Sequence, residues 1–108
     1  MPTEVRVARL ADLPPGAGLA VYAGERDIAL FNLGGEVVAI GNECPHQSGS
    51  LGDGRLEGEI VICPLHGWEF DARSGACMTV PGEAVRRYRV RVEAGDILVE
   101  LPDEHDGT

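Results

Sequence analysis

Two short boxes constrain this 108-residue chain more than anything else in it: Cys44-Pro45-His46 and Cys63-Pro64-Leu65-His66-Gly67. Each offers one thiolate and one imidazole. Sixteen residues separate His46 from Cys63. Two soft and two borderline ligands, presented as matched pairs on two loops, describe a metal site. In each box the His lies two or three residues from the Cys, so both side chains can converge from one turn. Pro45 and Pro64 follow the cysteines directly, fixing φ and removing a donor, which stiffens each loop. Gly67 lets the backbone come close to whatever His66 binds. A structural zinc site is one reading. Zinc ligands, however, usually pair His with His in one half, and here each half mixes Cys with His.

The length corresponds to one domain. A chain this short buries only roughly 60–70% of the surface its unfolded form exposes. A metal centre tying two loops together would therefore add stability. The 15 Gly and 7 Pro favour tight turns and an all-β protein rich in loops over a helical bundle. The net charge of −9 repels nucleic acid and anionic membrane surfaces, and suits a basic patch on a protein partner. The N-terminus has no basic n-region or apolar h-region, and no run approaches about 18 apolar residues. A cytoplasmic location is expected. Three cysteines are an odd number, with two committed to the boxes, which argues against a disulfide framework.

Along the chain, Glu4 to Arg9 alternates polar and apolar and reads as a strand. Pro14-Pro15-Gly16 interrupts the pattern. Leu19–Ala23 and Asp27–Leu33 are apolar runs of β-formers. Gly34-Gly35 then joins the second run to Glu36–Ile40, a hairpin signal because a type I′ turn needs positive φ twice. Residues 42–82 are loop-rich, with short strands possible at Arg55–Glu57, Glu59–Ile62 and Trp68–Asp71. Clean alternation returns over Val85–Glu93, with Tyr88, Val90 and Val92 on one face and Arg87, Arg89 and Arg91 on the other. Ala94-Gly95 turns the chain into a last strand, Asp96–Leu101. Residues 103–108 form an acidic tail. The expected organisation is an antiparallel β base, a sandwich or barrel, made from 1–41 and 83–102, with a loop-rich ligand-bearing subdomain, 42–82, inserted between them.

The boxes and their flanks resemble the Rieske [2Fe–2S] proteins, in which two His replace two Cys on one iron. Cys44-Pro45-His46-Gln47 with Gly52 looks like the first cluster loop of that family. Cys63 to Asp71, followed by Ser74-Gly75, looks like the second, and Thr79-Val80-Pro81-Gly82 looks like its proline loop. The resemblance implies that Cys44 and Cys63 bind the inner iron and His46 and His66 the outer, more exposed one. It further implies one cluster per chain and a role as a one-electron carrier rather than an enzyme.

Departures from the family pattern narrow the type. Respiratory members carry two further cysteines that form a disulfide; the matching positions here are Gly49 and Leu65. They also place Ser and Tyr hydroxyls near the cluster, where this chain has Trp68 and Phe70. Fewer hydrogen bonds to sulfur stabilise the reduced form less. A potential in the lower part of the Rieske range of roughly −150 to +300 mV follows. In this the chain resembles the soluble Rieske ferredoxins of bacterial aromatic-ring dioxygenase systems rather than the membrane-anchored respiratory type. The implied partners are a flavin-dependent reductase and a terminal oxygenase, docked transiently by a monomer. Two alternatives stay open: the small subunit of a nitrite-reductase-like enzyme, and a zinc-stapled binding module without redox activity.

Other notable residues read more plainly. Cys77 has no ligand role in the family pattern and reads as a small buried hydrophobe. His105 lies in the acidic tail and reads as solvated. Trp68 reads as packing beside the second loop. The arginines at 86, 87, 89 and 91 read as a solvated sheet face, and Glu43, Asp53, Glu57 and Glu59 as surface.

Overall fold

Short apolar runs cut by glycines and prolines leave no room for a long helix, and the described residues fold as short strands joined by turns and loops. The computed structural model describes residues 3–45, 49–65 and 67–102. They contain β1 (Thr3–Arg9), β2 (Gly18–Ala23), β3 (Arg26–Asn32), β4 (Val37–Gly41), β5 (Arg55–Glu57), β6 (Ile60–Ile62), β7 (Glu69–Asp71), β8 (Arg87–Glu93) and β9 (Asp96–Leu101). Two single-turn 3-10 helices, Leu10–Asp12 and Leu51–Asp53, were not legible from periodicity. Among the described residues, no helix is long and apolar enough to cross a membrane.

All pairings are antiparallel. Six strands form one sheet in the order β1-β9-β8-β4-β3-β2, and its end strands β1 and β2 approach each other, so the sheet is nearly a closed barrel. β5, β6 and β7 form a second, small sheet.

The run Ile28–Phe31 is apolar without alternation because β3 is buried on both faces. Ile28 and Leu30 join Leu13, Ala39, Tyr88, Ile97 and Val99 in the barrel interior. Ala29 and Phe31 point the other way, joining Ile40, Leu51, Val61 and Phe70 under the cysteine loops. Each large side chain buried this way contributes roughly 1.5–3 kcal/mol of transfer free energy. One strand thus supports two cores.

The β3–β4 turn has φ 74° at Gly34 and 116° at Gly35, as the glycine pair implied. The Leu33 N–H donates to Glu36 O at 2.7 Å. A second brace comes from buried Asn32: its Nδ2 donates to Leu13 O at 2.8 Å, and its Oδ1 accepts from the Gly35 N–H at 2.6 Å. Arg73 ties this turn to the second sheet, reaching Glu36 with Nη1 at 2.8 Å and Glu59 with Nε at 2.9 Å.

The β8 alternation holds for Tyr88, which is buried, but Val92 is 41% exposed. β4 pairs with β8 only at Tyr88 and Arg87. Val92 lies well past that contact, beside the open turn into β9, where nothing covers it. On the opposite face Arg91 is ion-paired with Glu4 and Glu93, and Arg87 and Arg89 stand exposed.

Candidate metal centre

The first cysteine loop leaves the barrel where β4 ends. Glu43 and Ser50 form an antiparallel bridge, the Cys44 N–H donates to Gly49 O at 2.9 Å, and the Leu51 N–H donates to Asn42 O at 2.8 Å. These bonds close the loop into a narrow finger. Gly52 seats its returning end on the barrel: a Cβ there would come within 2.7 Å of Ala20 N, so only glycine allows the approach.

The second loop is the tip of the β6–β7 hairpin. Ile62 pairs with Glu69, the Cys63 N–H donates to Trp68 O at 2.8 Å, and the Gly67 N–H donates back to Cys63 O at 3.2 Å. A third segment lies along β7. There the Met78 N–H donates to Glu69 O, and Thr79 Oγ1 accepts from the Glu69 N–H at 2.8 Å.

Cys44 and Cys63 are 1% and 3% exposed and share one core with Phe31, Ile40, Val61 and Phe70. Their sulfurs are neighbours. Burial pushes the Cys63 thiol up; a hydrogen bond from the Leu65 backbone N–H opposes this, and the adjacent Cys44 adds to the rise. Two thiolates side by side in an apolar pocket cannot both persist unless a cationic group compensates them. This donor chemistry fits a metal or a metal–sulfide centre. The two loops also touch at Gly49, where a Cβ would lie 2.8 Å from Cys63 Sγ and 3.3 Å from Leu65 Cγ. Positions 49 and 65 are therefore apposed, and with a glycine at one and a leucine at the other no disulfide can join the loops there.

The structure thus brings together the cysteine half of the four-residue set. His46 and His66 lie outside the described residues, as does His105. Among the described residues, no three His, Cys, Asp or Glu side chains gather at one point. Cys77 is buried in the same core, and its Sγ accepts from the Val80 N–H at 3.3 Å. Trp68 packs half-buried against that core. Glu43, Asp53, Glu57 and Glu59 are exposed, with Glu57 and Glu59 engaged by Arg55 and Arg73. Sequence reasoning missed Asn42, Asp27 and Ser50, whose hydrogen bonds hold the first loop. Isolated polar residues in a loop and a strand carry no periodic signal, and the contact spans fifteen positions.

Comparison with known proteins agrees with this geometry. Residues 3–92 match the family model described as the Rieske [2Fe-2S] domain. The chain is 38% identical over 96 residues to the 3-phenylpropionate/cinnamic acid dioxygenase ferredoxin subunit of Escherichia coli K12, covering 87% of this chain and 90% of that protein. Among solved structures, the ferredoxin of carbazole 1,9a-dioxygenase from Nocardioides aromaticivorans IC177 superposes with a TM-score of 0.84 at 38% identity, over 94% of this chain and 99% of that one. A chain in the complex of reduced oxygenase and oxidised ferredoxin of carbazole 1,9a-dioxygenase matches with a TM-score of 0.81 at 28% identity, over 89% and 91%. A putative NADH-dependent nitrite reductase small subunit from Mycobacterium tuberculosis matches with a TM-score of 0.87 at 27% identity, over 95% and 98%.

Proposed function

Because the chain belongs to the Rieske [2Fe–2S] domain family, we propose that Cys44, His46, Cys63 and His66 hold one cluster and that the protein carries single electrons to the oxygenase of an aromatic-ring dioxygenase system. In this reading Cys44 and Cys63 bind the inner iron, and His46 and His66 the outer one. When bound, the cluster supplies a reversible one-electron couple. The observation that carries the reading is the meeting of the two buried thiols from separate loops. The chain's own contribution is to keep water from the sulfurs, to hold the two loops in contact at Gly49, and to direct the Leu65 N–H at the Cys63 sulfur.

The ferredoxin-subunit relative and the ferredoxin solved with its oxygenase support an oxygenase as electron acceptor. A flavin-dependent reductase is the matching donor. Three free, buried cysteines suit a reducing compartment, so we place the carrier in the cytoplasm. A net charge of −9 disfavours self-association and suits a monomer that docks on basic patches. Phe70 and Trp68 bring no hydroxyl to the second loop, which lowers the potential within the family's range.

An EPR-monitored redox titration, with iron and sulfide counted on the same sample, tests the reading. The expected result is a rhombic signal with average g below about 2, about two irons per chain and a potential below zero. Stoichiometric zinc without iron would overturn it in favour of a structural module. The second reading, a reductase small subunit, draws on the TM-score of 0.87 to the nitrite reductase protein, although the identity there is lower than to the dioxygenase ferredoxins. A stable large subunit co-purifying from the native cell would decide for it.

A further inference from the structure

The first cysteine loop is held to the barrel through a single residue, Asn42, by its carboxamide and its main chain. Asn42 is 4% exposed and stands two residues before Cys44. Its Oδ1 accepts from the Gly52 N–H at 2.6 Å, and its Nδ2 donates to Asp27 Oδ1 on β3 at 3.1 Å. Ser50 Oγ sits against both ends of the amide, accepting from Nδ2 at 3.0 Å and donating to Oδ1 at 3.2 Å. The main chain adds two more bonds, from the Asn42 N–H to Asp27 O at 3.0 Å and from the Leu51 N–H to Asn42 O at 2.8 Å. One residue thus joins the outgoing end of the loop, its returning end and the barrel wall.

The chemistry of this position is specific. A backbone N–H can only donate, so it requires the oxygen of the amide; a carboxylate can only accept, so it requires the nitrogen. Asn satisfies both at once. A carboxylate at position 42 would still accept from Gly52 but would face Asp27 with like charge and no proton between them. An aliphatic residue would leave the Gly52 N–H without its acceptor inside the fold. Gly52 has little room to move toward the barrel, because even a Cβ at that position would come within 2.7 Å of Ala20 N. Any change at Asn42 must therefore be absorbed by the segment between, which contains Cys44.

We propose that Asn42, paired with Asp27, is the positioning residue that sets where Cys44 stands relative to Cys63, and through it the electronic character of the centre. This rests on the cluster reading above. Asn42 touches no reacting atom; it acts through the loop. Groups of this kind that orient a metal ligand from behind typically alter metal affinity by about 10–100-fold.

The test uses the holoprotein and four variants, N42D, D27N, the double variant N42D/D27N and D27A. N42D is expected to lose iron to a ferrous chelator about tenfold faster than wild type, with shifted EPR g values and a shifted midpoint potential. In N42D/D27N the carboxamide at position 27 donates to the carboxylate at position 42, so the g values and chelation rate return toward wild type. A merely structural role would not predict that rescue in the spectrum. D27A, which leaves the loop sequence intact, reads the same contact from the barrel side should N42D not accumulate; a smaller shift in g values is expected. Wild-type g values and potential in N42D, no recovery in the double variant, or an unchanged spectrum in D27A would each overturn the proposal. A wild-type protein without a [2Fe–2S] signal would instead sink the cluster reading itself, and so the two failures are distinguishable.

Discussion

Both cysteine loops are closed by main-chain bonds, but only the first is also clasped by side chains. Between Asn42 and Gly52 one carboxamide and one hydroxyl reinforce the single main-chain bond from Asn42 N–H to Asp27 O that ties the finger to the barrel. Between Ile62 and Glu69 the hairpin supplies its own bonds, from Cys63 to Trp68 and from Gly67 to Cys63, and needs no particular side chain for them. The difference has a physical cause. The first loop springs from the end of β4 and returns against the barrel wall at Ala20 of β2 without adding a strand, so side chains bridge the gap. The second loop is the turn of two paired strands, and backbone pairing comes with the fold. The first loop is therefore the more vulnerable to substitution, although both deliver a cysteine to the same buried point.

The largest expected effect falls where the two loops touch. G49A places a methyl group 2.8 Å from Cys63 Sγ, a distance neither a fixed ligand nor the facing Leu65 can tolerate without a shift. Overpacking of this kind costs about 1–3 kcal/mol, and chemical denaturation together with iron content should show lower stability and most of the cluster lost. Retention of full iron content would mean that the loops are less tightly apposed than the structure has them. A middle-sized effect is expected for S50A. It removes the hydroxyl shared by both ends of the Asn42 amide and leaves the Gly52 and Asp27 bonds in place, for a loss of about 1 kcal/mol in thermal or denaturant unfolding. The smallest is L65A. Leu65 is 49% exposed and its hydrogen bond to the Cys63 sulfur comes from the backbone, so stability should stay within about 0.5 kcal/mol of wild type. If L65A proved as damaging as S50A, the distinction between a loop clasped by side chains and one held by main chain alone would fall.

Much of the fold was open to sequence reasoning because its signals are local. Alternation marked β1 and β8, and the Ala94-Gly95 turn marked β9; the Gly34-Gly35 pair marked the β3–β4 turn, and both glycines have the positive φ this requires. Glu57 and Glu59 read correctly as surface residues. The alternation placed Val92 on the face of Tyr88 but not its exposure, because alternation reports which face a residue takes and not whether anything covers that face. The Asn32 brace of the β3–β4 turn was missed for a related reason: its partner Leu13 O lies nineteen residues away, and no local pattern reports such a bond.

By itself the sequence was enough to read the family, through the boxes that carry its pattern. Cys and His recur at two spacings that a metal demands, and those spacings are short enough to be written in one turn of chain. It also determined that the chain would be strands and turns, since glycine and proline placement acts within a few residues. Only the tertiary structure decided that β3 would be buried on both faces, dividing the molecule into a barrel core and a core beneath the cysteines. Only it decided that Gly49 would lie against Cys63 and that Asn42 would clasp Asp27. These are contacts between segments distant in sequence, formed because apolar surfaces on separate elements exclude water together and leave the polar groups between them only each other as partners.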